Sequence, residues 1–359
     1  MFSLKPDFEM TLQRMEAFWH CQVLDRPVVS FTLLKPPSEQ APLPPSHYAG
    51  PAERWMDSSY QVELALATLA NQYYPGDTLP VAWPNLGPEV FAALYGCPLE
   101  FGDYGTSWTT PILPDWSQAP ALRLDWESPY LKKLEEMTGD LLEAGRGRFI
   151  VGMTDWHPGG DCLAAFRDPQ NLAVDLLEHP AEVKALLEQV EQDYFAVYDH
   201  FYYRLCQAGQ PITAWINLAC PGKFYIPSND FSGMISKAMF AEFFLPGIQR
   251  ECQFLDHSIY HLDGPVAVRH LDLLLGIPEL DAIQFVPTVS DAAFARWAPL
   301  YKRIQQGGKG VHFTCEFDEL GQVMEALSPK GLYLYVKDAP SLPDVENVLQ
   351  ELVRWSKGK

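Results

Sequence analysis

Ser258-Ile259-Tyr260-His261-Leu262-Asp263-Gly264 is an apolar run that stops abruptly at a histidine, a carboxylate and a glycine. A buried parallel strand shows this change of character where it leaves a sheet or barrel. His261 and Asp263 are two apart, so both side chains fall on one face of an extended segment. Gly264 then lets the backbone turn away. In α/β folds, ligands and catalytic groups collect at the carboxyl ends of strands, which makes this tip the leading site candidate. A plainer reading keeps Asp263 as the cap of the next helix and His261 as a core imidazole bonded to a backbone carbonyl.

Strand-like runs recur on both sides of this stretch. Toward the N-terminus they lie at residues 27–32, 79–83, 149–154 and 213–218, and toward the C-terminus at 282–286, 311–314 and 332–336. Helical periodicity follows most of them, over 55–73, 130–143, 172–178, 181–208, 231–255, 292–305, 320–327 and 345–355, with a lead-in helix at 11–22. Pro180 stands where a helix should start, Asp230 where one should be capped, and Pro246 where one should bend. Eight strand candidates in this order, in one chain of 359 residues, predict a single (β/α)8 TIM-type barrel domain over 1–359. A doubly wound sheet is the alternative, but no glycine-rich phosphate turn supports it.

Two segments fall outside the strand-helix rhythm. Residues 35–51, rich in proline and serine, read as a long loop. Residues 87–129, with Trp108, Trp116, Trp126 and several prolines, read as an insertion that forms a lid or an interface, including one between copies in a homo-oligomer.

The formal net charge of −20 leaves no positive field to collect phosphates, so nucleic acid and anionic membrane surfaces are not expected partners. No apolar span approaches the roughly 18 residues of a membrane helix. The first ten residues carry Asp7 and Glu9 and lack the apolar core of a signal peptide. The seven cysteines are scattered and odd in number, with no CxxC pair, as expected for reduced thiols in a cytoplasmic protein.

In a barrel, the residues just past each strand share one mouth. Here they are Lys35, Trp83 and Asn85, Asp155 and His157, Asn217, His261 and Asp263, Val286, Cys315 and Glu316, and Lys337. Asp155-x-His157 and His261-x-Asp263 each supply an imidazole and a carboxylate on one face. Such a pair can hold a proton donor in one tautomer or place nitrogen and oxygen on one metal ion. Glu316 is a third carboxylate that could complete a metal site. Cys315 reads either as a thiolate ligand or as a small buried hydrophobe. Lys223 and Tyr225 read either as carboxylate binders or as loop residues.

Several stretches in order carry a resemblance to a known family. They are Arg14-Met15-Glu16-Ala17-Phe18 with Asp25-Arg26-Pro27-Val28, and Arg167-Asp168-Pro169-Gln170-Asn171-Leu172 with Asp175 and Pro180. Asp230-Phe231 through Met234-Ile235-Ser236 to Phe243 and Pro246 comes next, then His261-Leu262-Asp263-Gly264, and last Pro343-Asp344-Val345-Glu346-Asn347-Val348. Together they resemble the uroporphyrinogen decarboxylase superfamily, which includes corrinoid-dependent methyltransferases. That resemblance implies a TIM-type barrel.

The family's decarboxylases hold substrate carboxylates with arginines after the first strand, where this chain has Phe31-Thr32-Leu33-Leu34-Lys35. Its zinc methyltransferases use His-x-Cys and a later cysteine, where this chain has His261-x-Asp263 and Tyr335-Val336-Lys337-Asp338.

The resemblance further implies an enzyme that transfers a methyl group between a small substrate and a corrinoid or similar carrier, with a corrinoid carrier protein as partner. His261 and Asp263 would form its centre, with or without zinc. Asp155 and His157 would position substrate or move protons, while Trp83, Asn85, Asn217, Lys223, Tyr225, Glu316 and Lys337 would line the substrate site. The alternatives are decarboxylation of a carboxylated tetrapyrrole-like substrate and a non-catalytic binding protein on the same fold.

Overall fold

Six strands form one curled parallel sheet, in the order Val28–Phe31, Leu332–Lys337, Gly310–Glu316, Ala282–Val286, His257–Asp263 and Phe224–Tyr225. The structure, a computed structural model, describes residues 2–102 and 105–358. The four C-terminal strands of this sheet, from His257–Asp263 onward, are apolar runs buried on both faces, and they match the sequence expectation closely.

The rest of the expected barrel is present in position but is not one continuous ladder. Val81–Ala82 pairs with Ile150–Val151 as a separate parallel ladder of two residues each. Prolines at 80 and 84 bracket the first of these strands and remove the donors that would extend it. Single bonds span the gaps between ladders: Asp77 N donates to Val29 O at 2.7 Å and Met153 N to Thr213 O at 2.7 Å. The result is a TIM-like arrangement whose barrel is not closed.

The run at 213–218 is corrected as well. Only Ile212–Thr213 is strand, and it pairs antiparallel with Ala219–Cys220. Between them the chain doubles back, tied by Thr213 Oγ1 to Leu218 O at 2.6 Å. Phe224–Tyr225, which takes the place beside His257–Asp263, is a strand that the sequence pattern does not announce.

The lead-in helix, Phe8–Trp19, closes the amino end of the sheet. Trp19 stacks on His257 at 5.0 Å and lies 5.3 Å from Phe224, while Phe18 packs over Gly310. Beside it, wholly buried Asp77 takes Arg26, Arg14 at 3.2 Å and Val29 N at 3.0 Å. One end of the fold is thus plugged, and the strand tips at the other are left for chemistry.

The 87–129 segment, of which residues 103 and 104 lie outside the described residues, forms a short helix Val90–Ala93, a hairpin of Leu99–Phe101 with Ser107–Thr109, and a 3₁₀ turn Trp116–Ala121. Val90, Phe91 and Trp116 are core residues, whereas Trp108 and Trp126 are exposed. The seven cysteines are unpaired. Among the described residues, no helix is long and apolar enough to cross a membrane.

Candidate functional site

His257–Asp263 carries His261 to the mouth and ends at Gly264, whose φ of +76° makes the turn that a glycine allows. His261 Nδ1 meets Gln284 Oε1 at 2.6 Å, and an amide oxygen only accepts, so Nδ1 carries the proton. Trp215 stands edge-on to the ring at 5.1 Å. Nε2 is left facing Asp230, with Oδ1 at 4.0 Å. The core-histidine reading of His261 is therefore corrected: its partner is a side chain, and its second nitrogen is open to the mouth.

Asp263 is exposed at the strand end, and its side chain makes no capping bond to the following helix. The sequence places Asp230 as the cap of the 231–255 helix, and the structure gives that task to another carboxylate. Asp161 accepts from Asp230 N at 3.0 Å and Phe231 N at 2.8 Å. This frees the Asp230 side chain to face His261. The expected 231–255 helix starts later: Asp230–Met234 is a 3₁₀ turn, and the helix then runs without a break from Lys237–Met239 through a π-helical turn Phe240–Phe244 into Leu245–Phe254, with the irregularity just ahead of Pro246 where a bend is expected.

His157 stands on the other side of Asp230. Its Nε2 meets Asp155 Oδ1 at 3.1 Å, while Nδ1 lies 3.1 Å from Ser228 Oγ and 3.5 Å from Asp161 Oδ2. Burial disfavours the imidazolium, but Asp155 and Asp161 outweigh it and raise the His157 pKa well above its ordinary value. Burial, aided by Asp161, pushes Asp230 up to about 6. At neutral pH the site therefore holds one imidazolium beside a carboxylate that takes a proton only slightly below neutrality.

Two cavities flank this cluster. One of about 650 Å³ extends from the mouth under helix Ser58–Ala70 and is walled by Trp83, Trp215, Tyr335, Asn85, Asn217 and Gln284, among others. A second of about 300 Å³ is lined by His157, Asp161 and Asp230 on one side and by Ala92, Phe231 and Met234 on the other. The 87–129 segment contributes to this second cavity through Pro88, Glu89 and Ala92.

The structure brings Asp155, His157 and His261 together, with Trp83, Asn85 and Asn217 on the adjoining cavity. Asn217 also ties its amide to Leu79 N at 2.7 Å and Leu79 O at 3.0 Å. Lys223 is placed elsewhere. It sits at the amino end of Phe224–Tyr225, paired with Asp199 at 2.7 Å and lying 3.8 Å over the Phe254 ring.

Tyr225 is a core residue rather than a ligand contact. Its hydroxyl donates to Thr154 O at 2.8 Å and accepts from Trp156 N, bracketing Asp155 from behind. Glu316 and Lys337 are exposed register partners, with Glu316 in a capping box with Glu319, and neither lines the two cavities. Cys315 is buried, which pushes its thiol up, away from thiolate chemistry.

Sequence reading missed Asp161, Ser228, Gln284 and His312. Asp161 could have been found one helical turn beyond His157. Gln284 and His312 could have been found as single polar residues inside otherwise apolar strands.

His157, Asp161 and Asp230 offer one ligand atom each within 4.8 Å of one another. This nitrogen-and-oxygen set fits a borderline divalent ion better than a thiolate-bound zinc. Ligation there requires His157 to release a proton, because both ring nitrogens already face acceptors.

No family model matches the chain, and no curated protein matches it. Among solved structures, the chain is similar to a methyltransferase from Methanosarcina mazei, with a TM-score of 0.61. The likeness covers 96% of this chain and 98% of that one at 14% identity. At such identity the likeness shows the fold.

Proposed function

We propose that this protein is a methyltransferase of the uroporphyrinogen decarboxylase superfamily, moving a methyl group between a small substrate and a corrinoid or similar carrier at the barrel mouth. The observation that carries the reading is the uncharged, aromatic-walled cavity of about 650 Å³ beside a proton-holding cluster of His261, Asp230 and His157. The full-length likeness to a methyltransferase fold supports it. The carrier is a second substrate and supplies the electron pair that takes the methyl group.

The protein's own residues act on the group left behind. When the bond from methyl to oxygen or nitrogen breaks, its electron pair stays on the heteroatom, which then needs a proton. His157, kept cationic by Asp155 and Asp161, supplies that proton by way of Asp230, which faces the His261 ring beside this cavity. Gln284 fixes the His261 ring, and Tyr225 fixes the loop that carries Asp155 and His157. Trp83 and Trp215 wall the cavity. A divalent ion bound at His157, Asp161 and Asp230 would instead supply Lewis acidity to the same heteroatom.

Decarboxylation of an acidic tetrapyrrole is the weaker reading, because no Lys or Arg lines the cavity among the described residues. The test mixes purified protein with methylcobalamin and a thiol or phenol acceptor and follows the visible spectrum. Demethylation of the cobalamin that is lost in His261→Ala is the expected result. Carbon dioxide release from uroporphyrinogen, with the methylcobalamin spectrum unchanged, would overturn the proposal.

A further inference from the structure

Of the residues lining the larger cavity, none is Asp, Glu, Lys or Arg, and its imidazole is His312. Burial pushes His312 down to about 4, so the ring is neutral. Its Nδ1 lies 3.2 Å from Tyr333 O, and a carbonyl only accepts, so Nδ1 donates and Nε2 is left as a bare acceptor.

Gln284 spends its oxygen on His261, and its NH₂ has no protein partner among the described residues. Gln284 and His312 are register partners on neighbouring parallel strands, which sets their backbones about 4.8 Å apart. The cavity therefore presents a donor and an acceptor side by side. Several other polar groups in its wall are already engaged, while Thr68, Gln72 and Thr314 also line it. Asn217 holds Leu79, Thr32 and Tyr335 hold each other at 2.7 Å, and the Asn85 side chain accepts from Gly87 N at 2.8 Å.

We propose that the ligand of this cavity is a small uncharged aromatic molecule bearing a hydroxyl group, of the phenol class, held between Gln284 and His312. The inference rests on the proposed function only in taking this cavity as the substrate site. A hydroxyl accepts from the Gln284 NH₂ and donates to His312 Nε2, satisfying both with one group. An aromatic ring suits walls made by Phe31, Tyr74, Trp83, Trp215 and Tyr335.

A carboxylate would enter a cavity with no counter-charge and would lose its hydration without replacement. A quaternary ammonium suits aromatic walls, but it has neither donor nor acceptor and would leave Gln284 and His312 unsatisfied.

The test is a ligand-observed NMR titration of the full chain, without any carrier, using phenol, benzoate and tetramethylammonium. Phenol should bind at least about tenfold more tightly than either ion, the scale of one buried hydrogen-bonding group left unpaired. His312→Leu should weaken phenol by about tenfold, with circular dichroism confirming its fold. Gln284→Leu, which removes the donor instead, should show a similar loss and serves if His312→Leu does not fold.

The inference is overturned if benzoate or tetramethylammonium binds as tightly as phenol, if none of the three binds, or if a folded His312→Leu binds phenol undiminished. Because binding is measured without a carrier, absence of methyl transfer leaves this result standing. Methyl transfer by a protein that prefers benzoate would sink this inference alone.

Discussion

Tyr225→Phe removes one oxygen atom from the core and tests whether the site loop is held from behind. The hydroxyl donates to Thr154 O at 2.8 Å and accepts from Trp156 N, and burial raises its pKa far enough to keep it a donor at all working pH values. Phenylalanine leaves one backbone carbonyl and one backbone N–H without their partner in a buried place. Each such loss costs about 1–3 kcal/mol, so the pair costs about 2–6 kcal/mol. A chain of 359 residues unfolds with an entropy of about 0.75 kcal/mol/K, which converts this to a drop in Tm of about 3–8 °C. Because the two bonds flank Asp155, the loop should also loosen its hold on His157 and lower that histidine's pKa. Calorimetry gives the first quantity and NMR titration of the histidine ring protons gives the second. Tyr198→Phe is the control: its hydroxyl pairs with Phe224 N and O, each at 3.0 Å, so it should cost similar stability without moving His157. A Tyr225→Phe protein with Tm within 1 °C or so of the parent, about the scale of a single neutral surface change, and an unmoved His157 titration would refute the reasoning.

Asp230 gives a pH prediction. Its carboxyl is pushed up to about 6 by burial and Asp161, above the ordinary carboxylate value, so between those two values the folded protein holds more protons than the unfolded chain. Stability should therefore be fully present below about pH 4 as far as this group is concerned, and be lost as pH rises toward 6. Because the Asp230 side chain is nearly half exposed, solvent screening limits the effect to the order of 1 kcal/mol. Asp161→Asn should lower the Asp230 pKa, as read by carbon-13 NMR, and an unmoved Asp230 would count against the charge coupling. Asp77→Asn should cost about 3–5 kcal/mol in urea denaturation, because it breaks a buried ion pair and leaves Arg26 without its counter-charge. A loss under about 1 kcal/mol would show that Arg26 finds another partner, as weakly coupled surface pairs do.

Legibility in the sequence followed how local the cause of each element was. Ala282–Val286 coincides with its expected span because five apolar or neutral residues buried on both faces can be little else. Phe224–Tyr225 is a two-residue strand that exists only because a neighbour offers a ladder, and no pattern of its own marks it, whereas Val81–Ala82 keeps only the middle of the run expected at 79–83. A closed barrel is an inference from a count of such runs, and a count carries no information on whether adjacent ladders join. The same divide runs through the site. Asp230 looks like a cap from its own neighbourhood, but the cap comes from Asp161, 69 residues earlier in the chain, and only the folded contact shows that Asp230 is free.

Three arginines within the motifs that carry the family resemblance share a physical role. Arg14 grips Asp25 with bonds of 2.7 and 2.8 Å, Arg26 grips Asp77, and Arg167 grips Asp175 with bonds of 2.7 and 3.0 Å. Fork-to-carboxylate pairs of this kind fix the geometry between neighbouring elements, and the Arg26 pair does so across 51 residues of chain. None of these six residues lines the larger cavity. Latches of this kind can stay while the mouth changes, so these arginine pairs report the fold and are silent on substrate. Chemistry has to be read from the strand tips, and there the change is one of charge. The place where a porphyrinogen's carboxylates would need arginines is lined by aromatic rings, neutral amides and an imidazole that burial keeps uncharged. A pocket of that kind selects against anions by desolvation alone, whatever reaction its proton-holding neighbours perform.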